Sequence, residues 1–167
     1  SEEALRKLNE QLEQKVVERT AELRDANIRL EASLKKLRED EEAGRMIQFS
    51  MLPAQMKRIG RFEFSRYLSP SMYVSGDFLD YFEIDDDHIG FYMADVSGHG
   101  VSSAFVTVML KSFMAVSREL HKTEGDATIL HPERLMSKLN GEMLEQNLDK
   151  YLTLFYGILD RRGNRLT

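Results

Sequence analysis

The sequence contains no cysteine, which excludes disulfides and thiolate metal sites. Any metal held by this chain must therefore take oxygen or imidazole ligands. No apolar run approaches the roughly 20 residues of a membrane-spanning helix. The N-terminus, SEEALRKLNEQ, lacks the basic start and apolar core of a signal peptide. A positive charge excess is missing as well: 23 Lys and Arg stand against 28 Asp and Glu, for a net charge of −5. Nothing in that balance favours nucleic acid or an anionic membrane surface. The expectation is a soluble cytoplasmic protein, and its 167 residues suffice for one modest domain plus an extension.

Further absences divide the chain. Residues 1–45 have no proline, no aromatic residue and no glycine before Gly44, and are dense in Glu, Lys, Arg, Gln, Ala and Leu, all strong helix formers apart from the occasional polar break. Val16, Leu23, Leu30 and Leu37 recur every seven residues, with Leu34 added late; Leu5 and Leu12 share that spacing, with Leu8 between them. The step from Leu12 to Val16 is a stutter joining the two runs. One narrow apolar seam on a highly charged helix fits a coiled coil better than a globular core. The alternative is a single solvated helix, which is poorly stable without a partner. Arg19, Thr20 and Asn27 weaken the seam, as expected of a dimer able to change register. Residues 1–43 are thus expected to form a homodimeric coiled coil. The stretch LEQKVVERTAELRDAN, through Glu18-Arg19-Thr20, resembles the signalling helices that link sensor or receiver modules to output domains in bacterial proteins.

From residue 44 the composition changes. MIQFSMLP ends in Pro53, which should stop the helix at about Leu52. FEFSRYL (62–68) reads as a strand. DFLDYFEI (77–84) and HIGFYMADV (88–96), joined by an acidic turn, read as a β-hairpin. SSAFVTVMLKSFMAVSREL (102–120), apolar on nearly all sides, predicts a buried helix. HPERLMSKLNGEMLEQNL (131–148) predicts a helix opened by Pro132. YLTLFYGILD (151–160) predicts a strand buried on both faces. After DRRGN a further strand begins and stops within three residues, so residues 44–167 are expected to be the N-terminal portion of a longer domain.

Two residues in this part carry the chemistry. Asp77 begins one arm of the hairpin and Asp95 ends the other, so antiparallel pairing brings both carboxylates to one rim. With no thiolate available, such a pair favours a hard divalent cation. Gly76, Gly98 and Gly100 allow close backbone approach, and the helix starting near Ser102 aims its N-terminus at the same region. An aspartate followed by a glycine turn is also an ordinary structural device. Period-two alternation sends Asp80 to the opposite face from Asp77, in a supporting rather than ligating position. Asp85, Asp86 and Asp87 resemble a metal cluster but fall where a solvated turn is needed. His99, between two glycines, is a candidate accessory beside the helix N-terminus, on the side where a phosphate would be held. Ser97, Ser102 and Ser103 have no evident base and read as turn and cap residues. No Gly-x-Ser-x-Gly elbow, Walker loop or Rossmann glycine pattern occurs.

Taken together, IQFSMLP, SGDFLDYFEID, IGFYMADVSGHGVSSAFVTVMLKS and LTLFYGILD resemble the metal-dependent serine/threonine phosphatases of the PPM class, and more narrowly their SpoIIE/RsbU-like bacterial branch. The resemblance covers roughly residues 44–167. It implies an α/β fold of the PPM type: an α-β-β-α sandwich of antiparallel sheets, here only its N-terminal part, behind the long coiled-coil helix. It also implies two divalent ions, Mn²⁺ or Mg²⁺, held by Asp77, Asp95 and the Val96 carbonyl. Phosphoserine or phosphothreonine would be hydrolysed by direct water attack. The implied partners are a phosphorylated anti-sigma-factor antagonist as substrate and an upstream receiver or sensor domain. Family members commonly carry Gly-Gly-Asp where this chain has Ser75-Gly76-Asp77. They also take further aspartate ligands from later segments, so this chain alone is expected to be impaired. A catalytically silent adaptor that binds a regulator and dimerises through the coiled coil is the alternative.

Overall fold

A run dominated by helix formers carries α1 over Glu2–Ser50. It passes through Gly44 and ends two residues earlier than Pro53 alone would require. The computed structural model describes residues 1–69, 76–98, 100–147 and 149–167, which divide into two compact units, Ser1–Asp40 and Glu41–Thr167. In the first unit the heptad positions Leu5, Leu12, Val16, Leu23, Leu30 and Leu37 are all exposed along the single helix. Exposed pairs such as Arg6–Glu10 and Arg19–Glu22 line its polar surface, each contributing only a few tenths of a kcal/mol.

In the second unit β1 (Met56–Ile59) and β2 (Phe62–Ser65) form a small antiparallel hairpin turned at Gly60, whose φ is +60°. The strand expected over 62–68 is therefore shorter, and its partner β1 carries no sequence signal because MKRI has no alternating pattern. The main sheet holds β3 (Asp77–Glu83), β4 (His88–Val96), β5 (Leu152–Asp160) and β6 (Arg165–Leu166) in that order, every pair antiparallel. Between β4 and β5 run α2 (Val101–Glu124), a 3-10 turn at Ala127–Leu130 and α3 (Pro132–Glu145), with Pro132 at the helix start as expected.

Alternation decides which face of the sheet is covered. Phe78 and Phe82 of β3, Ile84 just beyond its end, Tyr92 and Ala94 of β4, and Tyr156 and Ile158 of β5 share one face. They form the core with Leu110, Phe113 and Met114 of α2, Ile129 of the 3-10 turn, and Leu135 and Leu139 of α3. Tyr156 closes this layer by donating its hydroxyl to the Ile129 carbonyl at 2.7 Å. The other face is covered only in part: Phe64 of β2 stacks on Tyr81 at 5.2 Å between centroids and leans on Phe91 at 6.3 Å. Beyond that hairpin Met93 and Phe155 are exposed. Two expectations are corrected here. β5 is buried on both faces only over Tyr156–Ile158, and α2 buries the stripe Ser103, Val106, Thr107, Leu110, Phe113, Met114 and Ser117 while Val101, Phe105 and Val116 remain exposed. An apolar run cannot report which of its faces finds a partner.

Further polar ties cross the core. Gln48, 3% exposed at the end of α1, donates to Thr107 Oγ1 at 3.0 Å. Asp80, on the covered face as alternation requires, accepts from Lys111 Nζ of α2 at 2.5 Å. Lys111→Met leaves the Asp80 carboxylate under α2 without its cation. Removing one member of a buried pair is expensive, so a loss of about 3 kcal/mol in urea-unfolding free energy is expected. The double change Asp80→Leu with Lys111→Met should recover much of it, and a Lys111→Met protein as stable as the parent would remove this pair from the account.

Candidate metal centre

Asp77 and Asp95 are direct cross-strand partners in the β3–β4 register. Both are exposed, and they stand at the end of the sheet opposite the β3–β4 turn, as the hairpin reading required. Phe78 and Ala94, the next pair inward, face the core, so alternation turns the two carboxylates toward the incompletely covered face. A groove of about 530 Å³ opens there, lined by Asp77, Asp95, Tyr67, Leu79, Met93, Thr153 and Phe155, among others.

Val96, the third expected ligand, is fixed by main-chain contacts. Its N–H donates to the Gly76 carbonyl at 3.2 Å, and a Cβ added at Gly76 would lie 2.3 Å from the Val96 oxygen. That separation is far inside van der Waals contact, so glycine is needed because two backbones meet, not for a turn. Thr153 Oγ1 donates to the Asp95 carbonyl at 3.4 Å, tying the same stretch to β5.

The donor set tests well in kind against a divalent ion such as Mg²⁺ or Mn²⁺. Two carboxylates and a main-chain carbonyl are hard oxygen ligands, and the close Gly76 contact leaves the carbonyl unobstructed by a side chain at 76. In number the set is small: among the described residues no group of three or more His, Asp or Glu side chains is arranged to hold a metal. His99 and Ser75, both singled out in the sequence, lie outside the described residues. The expectation of serine caps is corrected: Gly100, φ +82°, is the N-cap of α2 and no side chain caps it. Ser97 and Ser103 instead bond each other, Ser103 Oγ donating to the Ser97 carbonyl at 3.1 Å.

At the opposite end of the sheet the acidic turn has an organised role. Asp85 accepts from the His88 and Asp87 N–H groups, each at 2.8 Å, and faces His88 Nδ1 at 2.8 Å and His121 Nε2 of α2 at 2.9 Å. Burial alone would raise its pKa. Hydrogen bonds from His121, the Asp87 N–H and His88 outweigh that and hold the carboxyl below its ordinary 3.8. Composition showed three aspartates in a turn; only the fold brings His121 from α2 to one of them.

With this geometry the comparisons become specific. Residues 85–167 match the family described as Stage II sporulation protein E (SpoIIE). Over 105 residues the chain is 32% identical to the phosphoserine phosphatase RsbP of Bacillus subtilis, covering 60% of this chain and 24% of that protein. Over 75 residues it is 32% identical to protein IcfG of Synechocystis sp., covering 45% of this chain and 12% of that one. The chain thus spans less than a quarter of the length of either curated relative. Among solved structures, the SiaA-PP2C domain of Pseudomonas aeruginosa superposes with a TM-score of 0.59 at 21% identity, over 81% of this chain and 53% of that domain, a likeness that speaks for the fold. The sheet, its helix layer and these matches define a PP2C-type (PPM) phosphatase domain, present here as a partial PP2C-like fold behind a long helix. Within that class, residues 85–167 carry the SpoIIE family match. No described helix is long and apolar enough to cross a membrane.

Two outcomes are expected. Gly76→Ala should cost about 1–3 kcal/mol through overpacking and shift the amide resonances of Asp95 and Val96; unchanged resonances would show that the close contact is not rigid. Asp85 contributes stability above its unfolded pKa, near 3.8, and that contribution is lost as the pH falls through its lower folded pKa. Asp85→Asn should therefore flatten the acid limb of the urea midpoint below about pH 4. Asp126, bonded by Thr128, and Asp160, bonded by the Gly163 and Arg162 N–H groups, are held low in the same way and leave a remainder. An acid limb unaltered in Asp85→Asn would contradict the assignment.

Proposed function

We propose that this chain is the metal-dependent phosphatase module of a bacterial signalling protein, acting on phosphoserine or phosphothreonine in a partner protein. The observation that carries the reading is the Asp77–Asp95 cross-strand pair on the open rim of a sheet whose strands β4 to β6 lie within the SpoIIE match. Asp77, Asp95 and the Val96 carbonyl are the residues that hold two divalent ions, Mn²⁺ or Mg²⁺. Bound there, the ions supply the Lewis acidity that in-line attack of water on a phosphate ester requires. The chain's own contribution is to hold three hard oxygens on two rigid strands, so that little reorganisation is needed. His99, between the glycines that follow Asp95, is assigned an accessory role on the phosphate side. The relative RsbP is by name a phosphoserine phosphatase, which supports the ester class. A phosphorylated anti-sigma-factor antagonist is the substrate class we assign.

Residues 1–43 serve as a homodimeric coiled coil that couples an upstream receiver or sensor to the phosphatase. The exposed heptad seam from Leu5 to Leu37 supports this, because a lone helix with that much apolar surface gains stability by pairing. A second reading has one observation in its favour, the small number of carboxylates at the rim: a catalytically silent adaptor that binds its regulator without hydrolysis. With two side-chain ligands the 167-residue chain holds ions weakly and turns over slowly.

The test is Mn²⁺-dependent phosphate release from a phosphoserine protein, by this chain and by a version extended beyond Thr167. Activity confined to the longer version, and abolished by Asp95→Ala, is the expected result. Robust turnover by the 167-residue chain would overturn the impairment. Silence in both, with folding and substrate verified, would favour the adaptor.

A further inference from the structure

Ser97, the residue that follows Val96, has all its polar groups engaged. Its N–H donates to the Tyr151 carbonyl at 2.8 Å, and its Oγ accepts from the Tyr151 N–H at 2.9 Å. Its carbonyl accepts from Ser103 Oγ at 3.1 Å and from Lys150 Nζ at 3.2 Å. Lys150 Nζ also donates to Ser103 Oγ at 3.3 Å, and Ser103 is fully buried. The ammonium thus joins three chain segments: the exit of β4, the first turn of α2 and the entry to β5. Gly98 packs directly on it, since a Cβ there would lie 2.8 Å from Nζ, and its φ of +82° already calls for glycine.

We propose that Lys150 is a positioning residue for the candidate metal centre. The proposal rests on Asp77, Asp95 and Val96 being that centre. On one side Val96 is held by Gly76; on the other, Ser97 is held by Lys150, Ser103 and Tyr151. The Val96 carbonyl lies between these two anchors, and its direction depends on both. Lys150 acts through main chain and touches no reacting atom. Losing a partner that orients a ligand from behind typically lowers metal affinity by about 10–100-fold.

The sign of the effect separates positioning from charge. A cation near a divalent ion opposes its binding, so loss of charge alone would tighten Mn²⁺ binding in Lys150→Met. Loss of positioning weakens it. Free Mn²⁺ is read by electron paramagnetic resonance during titration of the parent chain, Lys150→Met, Lys150→Arg, Ser103→Ala and Asp95→Asn, with amide exchange measured on the metal-free proteins. Lys150→Met is expected to bind Mn²⁺ about tenfold more weakly and to exchange the Ser97, Gly98 and Ser103 amides faster. Lys150→Arg, which keeps a donor and the charge, should fall between it and the parent. Ser103→Ala, with its fold verified by circular dichroism, should move in the same direction as Lys150→Met. Binding by Lys150→Met equal to or tighter than the parent, with Asp95→Asn silent, overturns the role of Lys150 alone. Undiminished binding by Asp95→Asn overturns the metal-centre reading, and this proposal with it.

Discussion

Sliding β3 by one residue against β4 would turn Phe78, Asp80 and Phe82 away from the helices and would take Asp77 from beside Asp95. Side chains in a strand alternate with a period of two, so a one-residue slip exchanges the buried and open faces entirely. Register is therefore the constraint from which both core and site follow. Its cost of violation is set by the aromatic and aliphatic groups packed under α2 and α3, not by the carboxylates. The site depends on hydrophobic packing centred on the other face of the sheet. The Gly76–Val96 backbone contact extends the same pairing beyond the end of β3.

Helix α2 is tied to the sheet at three heights. Near its start, Ser103 joins the Ser97–Lys150 cluster. At mid-length, Lys111 meets Asp80. In its last turn, His121 bonds both Asp85 and the Asp126 carbonyl, at 2.9 Å each. Between these lies continuous apolar contact. Polar ties of this kind add little net stability, but leaving one half-made is costly, so they favour one seating of α2 over its neighbours. The N-terminus of α2 lies directly after the residues proposed as ligands, and the seating of the helix bears on the rim.

Apolar surface remains exposed along the heptad seam of the first unit. In the second it remains at Val101, Phe105 and Val116 of α2, and at Met93 and Phe155 of the sheet. Such surface is legible in sequence as hydrophobicity but not as exposure. The prediction that α2 is buried all round, and β5 on both faces, treated apolar composition as evidence of a covering layer. Burial is a property of the neighbour as much as of the residue.

Much was legible in the chain because it depended on short-range periodicity. The helix of residues 1–45, the hairpin of β3 and β4, the common end of Asp77 and Asp95 and the opposite facing of Asp80 follow from spacings of seven, of 3.6 and of two. Strand β1, and so its pairing with β2, escaped because MKRI is too brief to show a period. What only the tertiary structure decided involves partners distant in sequence: His121 on Asp85, Lys111 on Asp80, Lys150 behind Ser97, and the glycine at 76 held by a carbonyl twenty residues on. A lysine or histidine carries the same local signal on a solvated face as in a clamp. Which it becomes is determined when the packing of sheet and helices brings an acceptor within 3 Å or so, and no local pattern encodes that distance.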